Sequence, residues 1–579
     1  MRKTEAKNRN YYIALFVTAL LFCLIGLGAL LAIPALEFRE THLTYVADPT
    51  KYAKVTRAEV KQFLKAVPDY YARQLFGPAD DMQRMRLDIK HKHLQKLLAK
   101  REEALKVGVL FSADDDMVPA RMTADGKQFD VKMRLKGDLT DHLSNDRWSF
   151  RIKVKNADSV YGMQKFSIQP PHTRQFQNSA IFADYLREQG ILAPRFSLVD
   201  LTINGTSIGV MLLEEHFTDE LIQSQQRRNS VILKYNEDYF WQAWVDIVQI
   251  APDFDNWRNM PLTAFGLNKV EDSPVLRSLL GDAIGMLKGV MVDQLQPSDV
   301  FDADQWGQFL AACEIWGANH MVYSHQLRMY FNPATYKLEP IVFDANIVPP
   351  PAEQQLVCQG REYAMMTALV ADPAIRLSML KHMRLMTADV LSGDFAQWVA
   401  RKDQEYLSIL RQDYPALQEF PLSELQARAR WLQSIDETSL ADFVPELRSY
   451  ADFDQPYGDS LNYPAVVYAY VETLGEQQQL TLVNALGKKV EIISLDAAAN
   501  HMDASSLFPL PEGTELPVML AASHRNELPG RMTISLPFDA AMRWPIRGQA
   551  RVAGERKIYS FEAIKGYAAL SELPPGARP

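Results

Sequence analysis

FDVKMRLKGDLTDHLSNDRWSFRIKVK, Phe129–Lys155, decides how the chain is read. Phe129, Val131, Met133 and Leu135 alternate with Asp130, Lys132, Arg134 and Lys136, and Gly137-Asp138 then breaks the run, as in a half-buried strand with a glycine exit. Trp148, Phe150, Ile152 and Val154 alternate in the same way with Ser149, Arg151, Lys153 and Lys155. This predicts a second strand whose outer face carries three successive cations. Such a face is either an edge blunted by lysine or a surface turned to phosphate beneath the Gly137 loop.

Outward from this pair, Asn178 or Ser179 can cap a helix bearing Ile181, Phe182, Tyr185 and Leu186 on one face and ending at Gly190. Asn204-Gly205 between the apolar runs Phe196–Ile203 and Ser207–Leu213 is a hairpin signal, because a type I′ turn needs positive φ at both central residues. Strand, loop, strand, helix, strand, hairpin, strand is the layout of the small lobe of a protein-kinase-like fold. Farther on, Trp316–Asn346 carries the densest set of candidate ligands. A helix runs into a polar loop with Asn319, His320, His325 and Gln326, and a hairpin follows whose second strand ends on Asp344. An acid at a strand end facing a polar loop is how phosphoryl-transfer enzymes set a metal-binding carboxylate near the group that orients the nucleophile; an ordinary hairpin with a solvent-facing Asp has the same pattern.

Composition frames these segments. The 579 residues, 47% hydrophobic and 23% charged, suit a multidomain globular protein. A formal net charge of -9 argues against a nucleic-acid partner, which needs a basic face. Cys23, Cys313 and Cys358 have no metal-type spacing, leaving one Cys313–Cys358 bridge open. His91 and His93 fall on different faces of a helix and read as solvated.

Tyr11 to Leu36 is uncharged and mostly apolar, long enough at about 1.5 Å per residue to cross roughly 30 Å of hydrocarbon. Arg2, Lys3, Lys7 and Arg9 precede it, so a cytoplasmic tail (1–10) and a single signal-anchor helix (11–36) are expected, with everything after 36 periplasmic or extracellular. A cleaved signal peptide is the competing reading.

Four blocks give the chain a resemblance to the CotH kinase family, the spore-coat protein H group of atypical kinases. They are RLKGD (134–138), RWSFRIKV (147–154), SAIFADYLREQGILAPR (179–195) and INGTSIGVMLLEEHF (203–217), in the family's order and followed by the 316–346 stretch. The resemblance covers about 107–390. It implies an α+β, atypical protein-kinase-like, two-lobed domain over 107–450, with a small lobe at about 107–220 and a large lobe at about 221–450. It implies ATP as substrate, with Mg2+ or Mn2+, and a protein acceptor. Lys136 and Gly137 would then lie on the loop over the phosphates, with Arg151 and Lys153 on the strand that reaches them. Glu215 would close the strand beside the base, and Asp344 would hold the metal. Where the family carries a catalytic-loop Asp and a later Asn, this chain has His320 and Gln326, and Asn346 replaces the second acid. A His can still act as a general base, whereas Gln and Asn keep a ligating oxygen without its charge. A catalytically silent kinase-like scaffold of the cell envelope is therefore the alternative.

The rest of the chain is read around that domain. Residues 37–106 form a juxtamembrane and helical segment, with helix over Arg57–Ala66 and Met82–Lys106. Residues 216–300 hold an insertion with Trp241 and Trp244, read as core packing. Thr367–Leu447 is mostly helical, with Met379, Met383, Met386 and Val390 at helical spacing. Short strands separated by Gly, Pro and Asn then predict an all-β, sandwich-like domain over 461–579, of a kind that binds partners or glycans or serves as a spacer.

Overall fold

Seven strands between Arg84 and Glu215 close on themselves in the computed structural model of the chain. The structure describes residues 16–32, 57–78, 82–112, 114–143, 146–156, 158–235, 262–291, 295–347, 364–415 and 417–442, the strand segments between 467 and 565, and a few single positions such as Trp241 and Trp257. The fold is α+β.

The barrel strands are β1 (Arg84–Asp88), β2 (Val118–Ala124), β3 (Lys127–Leu135), β4 (Phe150–Val154), β5 (Lys165–Gln169), β6 (Phe196–Ile203) and β7 (Thr206–Glu215), in the order β1-β2-β3-β4-β5-β7-β6. All neighbours are antiparallel except β1 and β6, whose parallel pairing from Arg84–Asp200 to Leu87–Ile203 closes the ring. The expected alternation holds. Val131, Met133, Leu135, Phe150, Ile152 and Val154 point inward into one core with Met85, Leu87, Phe166, Met211 and Leu213. Each such side chain taken from water stabilises the fold by about 1.5–3 kcal/mol. The β6–β7 hairpin turns at Asn204-Gly205, both at positive φ, as its sequence requires.

Met82–Lys106, read as helix, contains β1 before the helix His91–Val107 begins. Only Met85 and Leu87 mark the inward face, too short an alternation to stand out among helix-forming neighbours. The barrel thus starts before residue 107.

Behind the barrel lies a second and larger core. It is built on the helices Asn178–Glu188, Ala303–Trp316 and Pro373–Val390, and Val210 and Leu212 of the outer face of β7 join it. A four-stranded antiparallel sheet, β11-β10-β8-β9, flanks it, with β8 at Ile232–Tyr235, β9 at Leu262–Ala264, β10 at Arg328–Asn332 and β11 at Lys337–Ile341. Val342 N–H donates to the Leu192 carbonyl at 2.8 Å and docks the β10–β11 hairpin beside the end of helix Asn178–Glu188.

Helix Arg57–Phe76 is fastened to both halves. Arg73 pairs with Asp200 of β6, and its Nε lies 2.6 Å from Asp413 Oδ1. Asp413 Oδ2 also accepts from Arg147 Nη1 at 2.9 Å and from Val210 N–H at 2.7 Å. A Cβ on Gly209 would stand 2.3 Å from that oxygen, so the clasp needs glycine there.

After residue 466 the described strands form two four-stranded sheets, β16-β13-β12-β19 and β15-β14-β17-β18. Their ranges are β12 Val467–Leu474, β13 Gln477–Asn484, β14 Val490–Ala497, β15 Val518–Leu520, β16 Arg531–Leu536, β17 Ile546–Val552, β18 Tyr559–Glu562 and β19 Ile564–Lys565. Leu480, Thr481 and Leu482 are buried in succession, and Val490 and Ile492 are buried at alternate positions.

At the other end, residues 16–32 are helical, with Phe16, Phe22 and Ile25 exposed. Tyr11 to Leu15 lie outside the described residues, and among those described no helix is long and apolar enough to cross a membrane. Cys313 is a buried free thiol, and Cys358 lies outside the described residues.

Candidate functional site

A cleft of about 230 Å³ lies between the barrel loop after Gly137 and the segments around His320 and Asp344. It brings together four residues singled out in the sequence, His320, Gln326, Asp344 and Asn346. Helix Ala303–Trp316 ends at Gly317 (φ +66), and two short 3-10 turns, His320–Val322 and Ser324–Gln326, then present His320 and Gln326. Across the hairpin, Asp344 stands three residues beyond β11, at φ +50, and Asn346 follows at φ +48. Two non-glycine residues in the left-handed region cost of order 1–3 kcal/mol each and concentrate where function demands a fixed geometry.

A chain of charges, buried except for the half-buried Asp344, crosses the cleft. Arg174 Nη1 lies 2.8 Å from Asp344 Oδ1, while its Nε and Nη2 donate to the two oxygens of Glu214 at 3.1 and 3.3 Å. Lys136 Nζ lies 3.1 Å from Glu214 Oε2 and 2.5 Å from Gln169 Oε1. Burial alone would raise the Glu214 carboxyl, but Arg174 and then Lys136 hold it down to about 2. Burial, and next the Arg174 charge, pull Lys136 down to about 8. Burial lowers Arg174 as well, yet Asp344 and Glu214 outweigh it and leave the guanidinium above its ordinary range.

His320 Nδ1 lies 3.0 Å from the Asp344 carbonyl oxygen and 3.6 Å from its Oδ2. A carbonyl oxygen only accepts, so Nδ1 carries the proton and, in the neutral ring, Nε2 keeps a lone pair available as a base. On the barrel side, burial and then Asp344 push Asp141 up to about 6, and burial and then Glu237 do the same to Asp138. His142, held by Ser149 Oγ at 2.7 Å, is kept neutral chiefly by burial. Its ring lies where a Cβ on Gly137 would fall, 2.2 Å away, so the glycine (φ +107) lets the loop close over it.

The remaining sequence candidates fall elsewhere. Lys136 faces Glu214 in the wall behind the cleft. Glu215, one residue on, points the other way: its carboxylate takes Arg195 Nη2 at 2.6 Å and Arg195 N–H at 3.1 Å, a structural pair. Arg151 stands in register with Ser167, itself in register with Glu214, and bonds His216. Lys153 is exposed one pleat repeat farther from the cleft and does not line it. Adjacent strand residues face opposite sides, and that parity separates Glu214 from Glu215. It was not legible in GVMLLEEHF, where both faces are apolar up to the acids. Arg174 had no periodic signal at all, since it ends a 3-10 turn, Pro171–Arg174. Trp241 lines the cleft, its ring 6.1 Å from that of His325, and Trp244 lies outside the described residues.

Among the described residues, the buried atoms Gln326 Oε1, Gln175 Oε1 and Ser179 Oγ find no hydrogen-bond partner. Orphaned polar atoms converging on one cleft call for a polar ligand. Among the described residues no three His, Cys, Asp or Glu side chains gather around one point. The oxygen set of Asp344 and Gln326 does fit Mg2+, which keeps several waters and takes one or two protein oxygens plus substrate phosphates. Asn346 Oδ1 fits less well, because it already accepts from Gln175 Nε2.

Comparison with known proteins yields no matching family model and no matching curated sequence.

Proposed function

We propose that the chain is a CotH-type, kinase-like phosphotransferase, held by an N-terminal signal anchor with its main domains outside the cytoplasm, that moves phosphate from ATP to hydroxyl groups on protein. The observation that carries this reading is the run of charges across one cleft, Lys136–Glu214–Arg174–Asp344, with the His320 ring against Asp344. Phosphoryl transfer needs little covalent help from protein and depends on positioning and electrostatic stabilisation. Arg174 supplies a planar, always-charged donor for phosphate oxygens, kept in place by Glu214. His320 Nε2 takes the proton of the acceptor hydroxyl. Asp344 and Gln326 would hold Mg2+ or Mn2+, which when bound screens the charge of the transferring group. The apolar, exposed helix 16–32 supports the anchor.

ATP with Mg2+ should raise the melting temperature, and neither alone should do so as far. Asp344→Ala should abolish phosphate incorporation and His320→Ala should lower it about 10²-fold or more. Unchanged incorporation in both variants would remove this site from the chemistry.

Two observations favour a second reading, a catalytically silent kinase-like scaffold of the envelope. The cleft's 230 Å³ is below the roughly 300–1,000 Å³ usual for ligand pockets, and Arg174 already pairs with Asp344 Oδ1, which leaves one oxygen of that carboxylate for a metal. No nucleotide-dependent shift in melting temperature decides for it.

A further inference from the structure

The cations that the sequence placed on one strand belong to a wider surface. In register across three neighbouring strands, Lys132 stands opposite Lys153 and Lys153 opposite Lys165, and one repeat closer to the cleft Arg134 stands opposite Arg151. Their inward neighbours Val131, Met133, Ile152 and Phe166 fill the barrel core, so all five cations project from the outer face. Lys132 and Lys153 are exposed, and the other three are half-buried. Like charges directly opposite one another across strands are destabilising. Three such pairs stand side by side in a chain of net charge -9, and together they concentrate positive charge on one face of the barrel.

We infer that this ridge docks an acidic, extended segment of a protein partner. The partner class follows from charge and spacing. Side chains on one face of a strand repeat at about 6.4–6.8 Å, and neighbouring strands lie about 4.8 Å apart. Carboxylates at alternate positions of an extended peptide repeat at that same distance, so a peptide lying along β4 sets successive acids over Lys153 and Arg151. The ridge is also directed. One repeat beyond Arg134 and Arg151 along the strands stands Lys136, whose N–H donates to the Ser149 carbonyl and whose ammonium pairs with Glu214 in the wall of the cleft. A peptide anchored on the lysines therefore runs toward His320. A layer of anionic lipid headgroups has no such direction. Naming the partner as the phosphate acceptor rests on the phosphotransferase reading; the binding itself does not.

The test uses the full chain and a fluorescein-labelled peptide with one Ser flanked by alternating Glu residues, followed by anisotropy without nucleotide. Wild type should bind, more weakly as salt rises. Lys132→Glu turns one repulsive pair into an attractive one, so it should keep or raise the melting temperature while weakening the peptide about tenfold. Lys132→Glu with Lys153→Glu should abolish binding. Equal affinity in wild type and the double variant overturns the inference, as does absence of salt-sensitive binding by wild type. Binding to phosphatidylglycerol vesicles that the peptide does not displace also overturns it, in favour of a membrane-facing ridge. Peptide binding lost in the double variant, with no phosphate transferred by wild type plus ATP and Mg2+, leaves the ridge standing and removes the phosphotransferase reading instead.

Discussion

Lys136 shows how the cleft trades charge against burial. Its folded value of about 8 lies below the 10.5 of the exposed side chain. Between those values the unfolded chain holds a proton that the native state has lost, so stability rises with pH across that window. The shift corresponds to about 3 kcal/mol at most. Chemical denaturation of wild type should show a gain of about 2–3 kcal/mol between pH 7.5 and 10 relative to Lys136→Met, whose profile lacks this contribution. A flat difference would mean that Lys136 is not desolvated against Glu214 and Arg174. The same pair shows where sequence reading stops. Lys136, His320, Gln326 and Asp344 were legible because each sits at a strand end or in a loop flanked by periodic runs. Arg174 and Glu214 were not, because one lies on an aperiodic turn and the other is distinguished from Glu215 only by strand parity.

At the scale of elements, the helix Arg57–Phe76 reaches the cleft through Asp413. Tyr414, beside it, sets its ring 5.1 Å from that of Phe176, nearly perpendicular, and accepts from Arg147 Nη1 at its hydroxyl, 2.7 Å away. Gln175 and Phe176, at φ +52 and +60, are the two residues that follow Arg174. Asp413 and Tyr414 thus brace the strained turn that aims Arg174. Asp413→Asn leaves the buried Arg73 and the half-buried Arg147 short of a charge, and breaking a buried pair costs about 3–5 kcal/mol. With Asp200 still on Arg73, a loss near the lower end of that range is expected in urea denaturation. A change within about 0.5 kcal/mol, the size of an ordinary surface substitution, would make the clasp incidental. Most of these elements were read correctly: the hairpin at Asn204-Gly205, helix Asn178–Glu188 and β3 with β4 follow from turn chemistry and period. Closure of the ring was not, since it depends on the short strand β1 pairing with β6, far along the chain.

For the whole molecule, the two cores define where motion and ligand must meet. The barrel interior and the larger helical core are separate sets of side chains, and the cleft lies where their surfaces face each other. A ligand held by both sides should slow amide exchange in 136–142 and in 320–346 together when ATP and Mg2+ are added. Protection confined to one segment would place the nucleotide on one core only, and with it the catalytic reading would lose its geometry.

A ring of strands has another effect at this scale. Each barrel strand is hydrogen-bonded on both sides, so the barrel offers no seam at which a foreign strand can be templated. A partner of that half therefore cannot add a strand to it, while the outer strands of the open sheets, β9 and β11 of the middle sheet and β15, β16, β18 and β19 of the two C-terminal ones, are the described places where main-chain pairing with another protein can begin.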